Sequence, residues 1–185
     1  MRTIDTAFRA IPRKEFLPPE LAGDAIFDRP IPIGFAQTNS QPTTVRQMLE
    51  WLDVKAGDKV LDVGSGSGWT TALLSYLTGQ TGRVIAVERI AELVAFGTAN
   101  CQRLKLTNIT FNQAVDTFGW PEQAPYDRIL VSASAPETPP ELIAQLAAPG
   151  RMVIPVKNSI WVINRDKSGV LDNQEHIGFV FVPLL

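Results

Sequence analysis

One stretch of the sequence decides the fold: Val60-Leu61-Asp62-Val63-Gly64-Ser65-Gly66-Ser67-Gly68. Its first four residues have the apolar, β-branched character of a buried strand. Three glycines at alternate positions then indicate a turn that lies close to a ligand, because a Cβ there would clash or forbid the required φ. The segment Trp69–Thr78 continues as a predicted helix. The N-terminus of such a helix favours negative or hydrogen-bond-accepting groups.

A second strand ends in an acid that completes this pattern. The apolar run Arg83–Val87 is followed directly by Glu88. In nucleotide-binding folds, an acid about 20 residues after the glycines binds the ribose hydroxyls. Gly64, Gly66 and Gly68 are spaced G-x-G-x-G, whereas dinucleotide sites use G-x-G-x-x-G. We therefore predict a nucleoside-containing cofactor that is not a dinucleotide, and the alternative is a purely structural turn.

Strand and helix patterns alternate through the rest of the chain. Apolar strands are predicted at Lys59–Val63, Arg83–Val87, Ile109–Gln113, Arg128–Ser132 and Arg151–Pro155. Helices are predicted at Thr43–Leu52, Trp69–Thr78, Ile90–Leu106 and Pro139–Leu146. This alternation is typical of a Rossmann-like α/β fold, an open and mostly parallel sheet with helices on both faces. An antiparallel C-terminal strand pair is predicted at Ser159–Arg165 and Ile177–Val182.

The length and composition favour one globular domain. With 185 residues, the chain can bury a full hydrophobic core. We predict a single domain over residues 1–185, in which the proline-rich and irregular residues 1–42 form an active-site segment and residues 43–185 form the cofactor-binding core.

The charge pattern excludes several classes of partner. The formal net charge is −2 and the basic residues are scattered, so no nucleic-acid partner is expected. No apolar run is long enough to cross a bilayer, and no membrane partner is expected. The single cysteine, Cys101, favours a reducing compartment, and we expect a cytoplasmic protein. The sequence has no cluster of metal-ligating residues, so no metal is expected.

Two N-terminal motifs narrow the interpretation. Residues 7–18 read A-F-R-A-I-P-R-K-E-F-L-P, and residues 28–42 read D-R-P-I-P-I-G-F-A-Q-T-N-S-Q-P. They resemble the patterns A-F-x-x-V-P-R-x-x-F-V-P and D-x-P-L-P-I-G-x-G-Q-T-I-S-Q-P of the protein-L-isoaspartate O-methyltransferases. Residues 181–184, F-V-P-L, resemble the end of a strand in the same family. The resemblance extends over nearly the whole chain.

The resemblance implies an activity and a set of site residues. The family uses S-adenosyl-L-methionine to methylate the α-carboxylate of isoaspartyl residues in damaged proteins, a step of protein repair. By this analogy, isoaspartyl peptides or proteins are the partners, and we expect a monomeric enzyme. Ser40 is then the active-site serine, although it could instead cap the helix after Pro42. The implied cofactor-binding residues are Thr38, Asn39, Asp62, Gly64, Ser65, Gly66, Gly68, Glu88, Val115 and Asp116.

Three positions of the predicted site depart from the family pattern. Ala36 stands where the family has glycine and Asn39 where it has isoleucine, both in the loop expected to shape the acceptor pocket. Val115 replaces the aspartate expected to face the adenine, and the acid is shifted to Asp116. Such a shift can reverse the direction of a side chain. Two further hypotheses therefore stay open: a methyltransferase with a different small-molecule or protein acceptor, and a non-catalytic homologue that binds a nucleoside or a protein partner.

Overall fold

The fold is an open α/β sheet preceded by a small hairpin. The computed structural model describes residues 2–184, so residues 1 and 185 of the predicted domain lie outside the described residues. The strands are β1 (Ile31–Gly34), β2 (Gln37–Asn39), β3 (Lys59–Val63), β4 (Arg83–Glu88), β5 (Ile109–Gln113), β6 (Tyr126–Val131), β7 (Leu146–Val156), β8 (Ser159–Arg165) and β9 (Leu171–Ile177). The α-helices are α1 (Ile4–Ala10), α2 (Pro42–Leu52), α3 (Trp69–Thr78), α4 (Ala91–Arg103) and α5 (Pro140–Gln145).

The strand order creates a crevice at the carboxyl end of the sheet. The order is β5-β4-β3-β6-β7-β8-β9, with β3 to β7 parallel and β8 and β9 antiparallel. Strand β3 lies in the middle, with β4 on one side and β6 on the other, so the strand order reverses at β3. Ligands of open α/β sheets bind at such a reversal of strand order. The predicted Rossmann-like fold with an antiparallel C-terminal pair is confirmed.

Alternate residues of the central strands fill two hydrophobic cores. Val60 and Val84 pack with α1, α2 and α3 on one face of the sheet. Leu61 and Ile85 point to the other face, where they pack with residues of α5. These side chains are fully buried, and each contributes about 1.5–3 kcal/mol. The period of two along the strands therefore places helices on both faces, as predicted.

The N-terminal segment is more regular than predicted. Residues 1–42 were expected to be irregular, but they contain α1, the 3₁₀ helices Arg13–Phe16 and Pro19–Ile26, and the antiparallel β1–β2 hairpin. Helix α1 begins with a capping box in which the side chains of Thr3 and Thr6 bond each other's backbone amides. Such reciprocal bonds satisfy two free amides and start a helix that the proline content obscures.

The last strand lies earlier than predicted. The expected strand Ile177–Val182 is wrong, because β9 spans Leu171–Ile177 and pairs with all of β8. The Asp166 carboxylate accepts bonds from the amides of Ser168 and Val170, which fixes the turn and hence the register. Nearly every residue of β9 is exposed, so this edge strand carries no apolar pattern in the sequence. Within residues 2–184, no helix combines the length and the apolarity needed to cross a membrane.

Candidate active site

A cavity of about 370 Å³ opens at the carboxyl ends of β3, β4 and β6. Its volume lies within the range of small-molecule sites, about 300–1,000 Å³. Its walls come from distant parts of the chain: the β1–β2 hairpin with Ser40, the glycine loop 64–67, residues 87–90, the loop 114–119, residues 132–133 and the C-terminal residues 182–184. The structure thus brings the predicted cofactor loop and the predicted acceptor segment to one site.

The glycine loop needs its glycines for two different reasons. Gly66 has a φ of +51°, and a Cβ on it would lie 3.3 Å from Ile33 Cδ1 of the hairpin. Gly68 has a φ of +85°, and its Cβ would lie 3.1 Å from the Gly97 backbone in α4. Gly68 does not line the cavity but lets α3 begin directly against α4. Gly64, Ser65 and Gly66 do line the cavity, so the loop presents backbone to a ligand.

Glu88 is fixed on the cavity wall by two backbone amides. Its Oε2 accepts a hydrogen bond of 2.9 Å from the Gly66 amide, and its Oε1 accepts one of 3.0 Å from the Ile90 amide. The side chain is 8 % exposed and lines the cavity. Each carboxylate oxygen keeps a further lone pair. Glu88 can therefore accept hydrogen bonds from vicinal hydroxyls while it holds the glycine loop in place.

Asp62 lies behind the wall and not on it. Its Oδ2 accepts a 2.6 Å bond from Thr71 Oγ1 of α3, and both side chains are fully buried. Its Oδ1 has no hydrogen-bond partner among the described residues. Burial, with a smaller contribution from the charge of Glu88, raises the pKa of Asp62 to about 7, although the hydrogen bond from Thr71 acts in the opposite direction. Asp62 thus ties β3 to α3 beneath the glycine loop.

One wall atom has an unmet hydrogen-bonding capacity. Ser65 lines the cavity, and its buried Oγ has no partner among residues 2–184. Buried polar groups without partners are rare in native proteins. An orphaned hydroxyl on a wall that also carries the Glu88 carboxylate fits a polar ligand such as the amino-acid or ribose portion of a nucleoside cofactor. The residues present therefore fit the predicted type of cofactor.

The Ser40 hydroxyl is not used to cap a helix. Helix α2 begins at Pro42 without a side-chain cap from Gln41. Instead, Asp28 Oδ1 accepts a 2.9 Å bond from the Thr43 amide, and Asp28 Oδ2 accepts one from Thr43 Oγ1. The capping alternative for Ser40 is therefore wrong. Ser40 is partly buried and lines the cavity beside Thr38.

Arg13 holds the segment 27–40, which contains the β1–β2 hairpin, and the sequence alone does not predict this role. Arg13 is 6 % exposed, and its guanidinium donates to the carbonyl oxygens of Phe27, Arg29 and Ser40 at 2.8–2.9 Å. Burial lowers its pKa to about 10, although the charge of Asp28 opposes this. The only signal in the sequence is the arginine of the motif at residues 7–18. Its contacts became visible only in the folded chain.

The loop after β5 places both candidate adenine contacts on the same wall. Val115 and Asp116 line the cavity, and Val115 is 65 % exposed. Gln145 of α5 holds this loop, since its Nε2 donates to the Phe118 carbonyl and its Oε1 accepts from the Trp120 amide, both at 2.8 Å. The shift of the acid from position 115 to 116 therefore leaves a carboxylate at the cavity.

The C-terminal residues form a strap over the site. The Ser134 amide donates to the Val182 carbonyl at 2.7 Å, and the Leu184 amide donates to the Ser134 carbonyl at 2.8 Å. Val182 and Leu184 line the cavity as a result. Among residues 2–184, no group of three or more His, Cys, Asp or Glu side chains is arranged to hold a metal ion.

The fold and the site define a protein of the Rossmann-like class with a site for a nucleoside-containing cofactor. A cavity at the reversal of strand order, a glycine-rich loop after the first strand of the sheet and a strand-terminal glutamate are together typical of a site that binds a nucleoside. The hairpin and the strap form a further part of the cavity wall.

Comparison with known proteins identifies the family within this class. The sequence model of the family described as Protein-L-isoaspartate(D-aspartate) O-methyltransferase matches residues 1–185. A protein-L-isoaspartate O-methyltransferase of Methanopyrus kandleri is 42% identical, with 97% of this chain and 81% of the relative covered. One from Anaeromyxobacter dehalogenans is also 42% identical, with 99% and 89% covered. The chain belongs to the protein-L-isoaspartate(D-aspartate) O-methyltransferase family and is a methyltransferase.

Solved structures agree with this assignment. A protein-L-isoaspartate O-methyltransferase superimposes with a TM-score of 0.87 at 27% identity, and the match covers 98% of this chain and 60% of that one. A Plasmodium falciparum protein assigned to the same activity was crystallised with S-adenosyl-L-homocysteine. It has a TM-score of 0.87 at 26% identity, with 98% and 89% of the chains covered. The family predicted from the motifs is confirmed.

Proposed function

We propose that this chain transfers the methyl group of S-adenosyl-L-methionine to the α-carboxylate of isoaspartyl residues in damaged peptides and proteins, as a step of protein repair. Membership of the family supports the reaction. One observation carries the assignment to this chain's own residues: Glu88 at the end of β4 and Ser40 after β2 line a single cavity. A cofactor held by the first would therefore lie within reach of an acceptor held by the second.

The cofactor side of the cavity has the groups that an adenosyl cofactor requires. Glu88 would accept hydrogen bonds from the two ribose hydroxyls. The Asp116 carboxylate would accept one from the adenine amino group, while the Ser65 hydroxyl and the glycine-loop backbone would bind the polar remainder. When bound, S-adenosyl-L-methionine supplies a methyl carbon on a positively charged sulfur, which is already an activated electrophile.

The acceptor side has a simple chemical task. The attacking carboxylate has an ordinary pKa near 4, so it is ionised at neutral pH and needs no general base. Ser40 would donate a hydrogen bond to one carboxylate oxygen and leave the other oriented for in-line attack. Orientation of this kind can supply much of the acceleration, roughly 7–11 kcal/mol in favourable systems. The hairpin and the strap around residues 182–184 would exclude water from the reacting atoms.

Methyl transfer to matched peptides tests this proposal. The wild-type protein is given S-adenosyl-L-methionine with a labelled methyl group and a hexapeptide that contains isoaspartate, or the same peptide with ordinary aspartate. We expect a base-labile methyl ester on the isoaspartyl peptide alone. Ser40→Ala should lower kcat at least tenfold, whereas Ser168→Ala in the exposed β8–β9 turn should not. No ester above the aspartyl control, despite measurable binding of S-adenosyl-L-homocysteine, would refute this function and leave the two alternatives, a different acceptor or a non-catalytic homologue.

We further propose that residues 1–185 act as a single catalytic domain in a monomeric cytoplasmic enzyme. The support for one domain is the shared cavity, to which both the segment 1–42 and the core 43–185 contribute walls. The support for a reducing compartment is Cys101, a buried free thiol packed under the glycine loop. Sedimentation equilibrium at micromolar concentration should give a mass near 20.3 kDa, and a mass twice as large would refute the monomer.

A further inference from the structure

Asn39 forms a buried bridge between the two sides of the site. Its side chain is 4 % exposed. Its Oδ1 accepts a 2.7 Å hydrogen bond from Arg13 Nε, and its Nδ2 donates a 3.1 Å bond to Ser67 Oγ. Because Arg13 Nε can only donate, the amide oxygen must face it and the amide nitrogen must face Ser67. Asn39 thus connects the residue before Ser40 to the interior of the glycine loop.

Both ends of this bridge are held firmly. Arg13 also donates to the backbone carbonyls of Asn39 and Ser40, at 3.0 and 2.8 Å. Its guanidinium lies 5.4 Å from the ring centre of Trp69 at the start of α3. At the other end, the Ser67 carbonyl accepts a 3.0 Å bond from Asn100 Nδ2 of α4. The bridge therefore joins two segments that are each held by further contacts.

We propose that Asn39 is a positioning residue for methyl transfer, which sets the distance between Ser40 and the cofactor held by the glycine loop. The inference rests on the proposed function. The family pattern has isoleucine at this position, which can pack but cannot bond to both sides. A polar bridge specifies a distance and a direction, whereas apolar packing tolerates small shifts. A misplacement of about 1 Å in such a reaction can lower the rate about 100-fold.

The test separates positioning from folding and from cofactor binding. Asn39→Leu keeps the approximate volume and removes both bonds, and Asn39→Asp keeps an acceptor for Arg13 and for the Ser67 hydroxyl. For Asn39→Leu we expect kcat on the isoaspartyl peptide to fall roughly 10–100-fold. Its Kd for S-adenosyl-L-homocysteine should stay within about threefold by calorimetry, because Glu88, Ser65 and the glycine-loop backbone, which would bind the cofactor, are unchanged. For Asn39→Asp, kcat and the Kd for S-adenosyl-L-homocysteine should both stay within about threefold of wild type. Asn173→Leu, on the exposed strand β9, is the matched control.

A double-mutant cycle completes the test. If Asn39 acts through Ser67, Ser67→Ala should lower kcat on its own and should add little to Asn39→Leu. An unchanged kcat in Asn39→Leu, or a fall in kcat matched by an equal loss of S-adenosyl-L-homocysteine affinity, would overturn the positioning role. A wild-type protein that fails to methylate the isoaspartyl peptide would instead overturn the proposed function, and this inference with it.

Discussion

The buried carboxyl of Asp62 should make the stability of this fold depend on pH in a direction opposite to that of a salt-bridged acid. Burial raises its pKa from 3.8 to about 7. Between these values the folded protein keeps a proton that the unfolded chain has released, so the free energy of unfolding falls as pH rises from about 4 to about 7. A difference of about three between the unfolded-state and folded-state pKa values corresponds to about 4 kcal/mol in the free energy of unfolding.

The variant Asp62→Asn isolates this effect, since its amide does not titrate in this range. Urea unfolding of both proteins at several pH values between 4 and 8 gives the difference in the free energy of unfolding. Relative to wild type, the variant should gain about 4 kcal/mol of stability from pH 4 to pH 8. The new Nδ2 donor would lie where Oδ1 now lacks a partner, and this can lower the stability of the variant. Because that loss is the same at every pH, it cancels when the values at pH 4 and pH 8 are compared.

Asp172→Asn, on the exposed strand β9, is the matched control and should show no comparable trend. A difference for Asp62→Asn that stays constant within about 1 kcal/mol from pH 4 to pH 8 would refute the reasoning. It would show that Asp62 is ionised in the folded protein at acidic pH, and that its environment is more polar than the structure indicates.

Three further predictions concern single residues. Glu88→Gln should weaken S-adenosyl-L-homocysteine binding about tenfold or more, because a hydrogen bond to a charged acceptor contributes about 1.5–3 kcal/mol. Calorimetry measures this change, with the exposed Glu92→Gln as the control. Ser40→Ala should change the free energy of unfolding by less than about 0.5 kcal/mol, and a larger loss in urea would restore a structural role for its hydroxyl. Ala36 has a φ of +57°, so Ala36→Gly should stabilise the fold by up to about 1 kcal/mol, whereas Ala95→Gly within α4 should destabilise it by about as much. If the two substitutions changed the free energy of unfolding in the same direction, the backbone strain inferred at Ala36 would be contradicted.

Part of this site could be predicted from the sequence because its signals are local. The strands β3, β5 and β8 and helix α3 have the predicted bounds, since each is a short run in which apolarity and period agree. Glu88 is predicted at the cavity because it ends a parallel strand, and parallel strands end at one edge of the sheet. Ala36 departs from the glycine of the family pattern, and its positive φ gives the physical reason why the family prefers glycine there.

The tertiary structure alone decided which polar atoms meet. Arg13 and Asn39 are 26 residues apart, and Asn39 and Ser67 are 28 apart, so no local pattern could indicate that they bond. The position of Asp62 behind the cavity wall, despite its place in the glycine motif, depends on the packing of α3 against β3. Local sequence sets the backbone period and the turns, but the partners of buried polar groups are chosen only when distant elements pack together and exclude water.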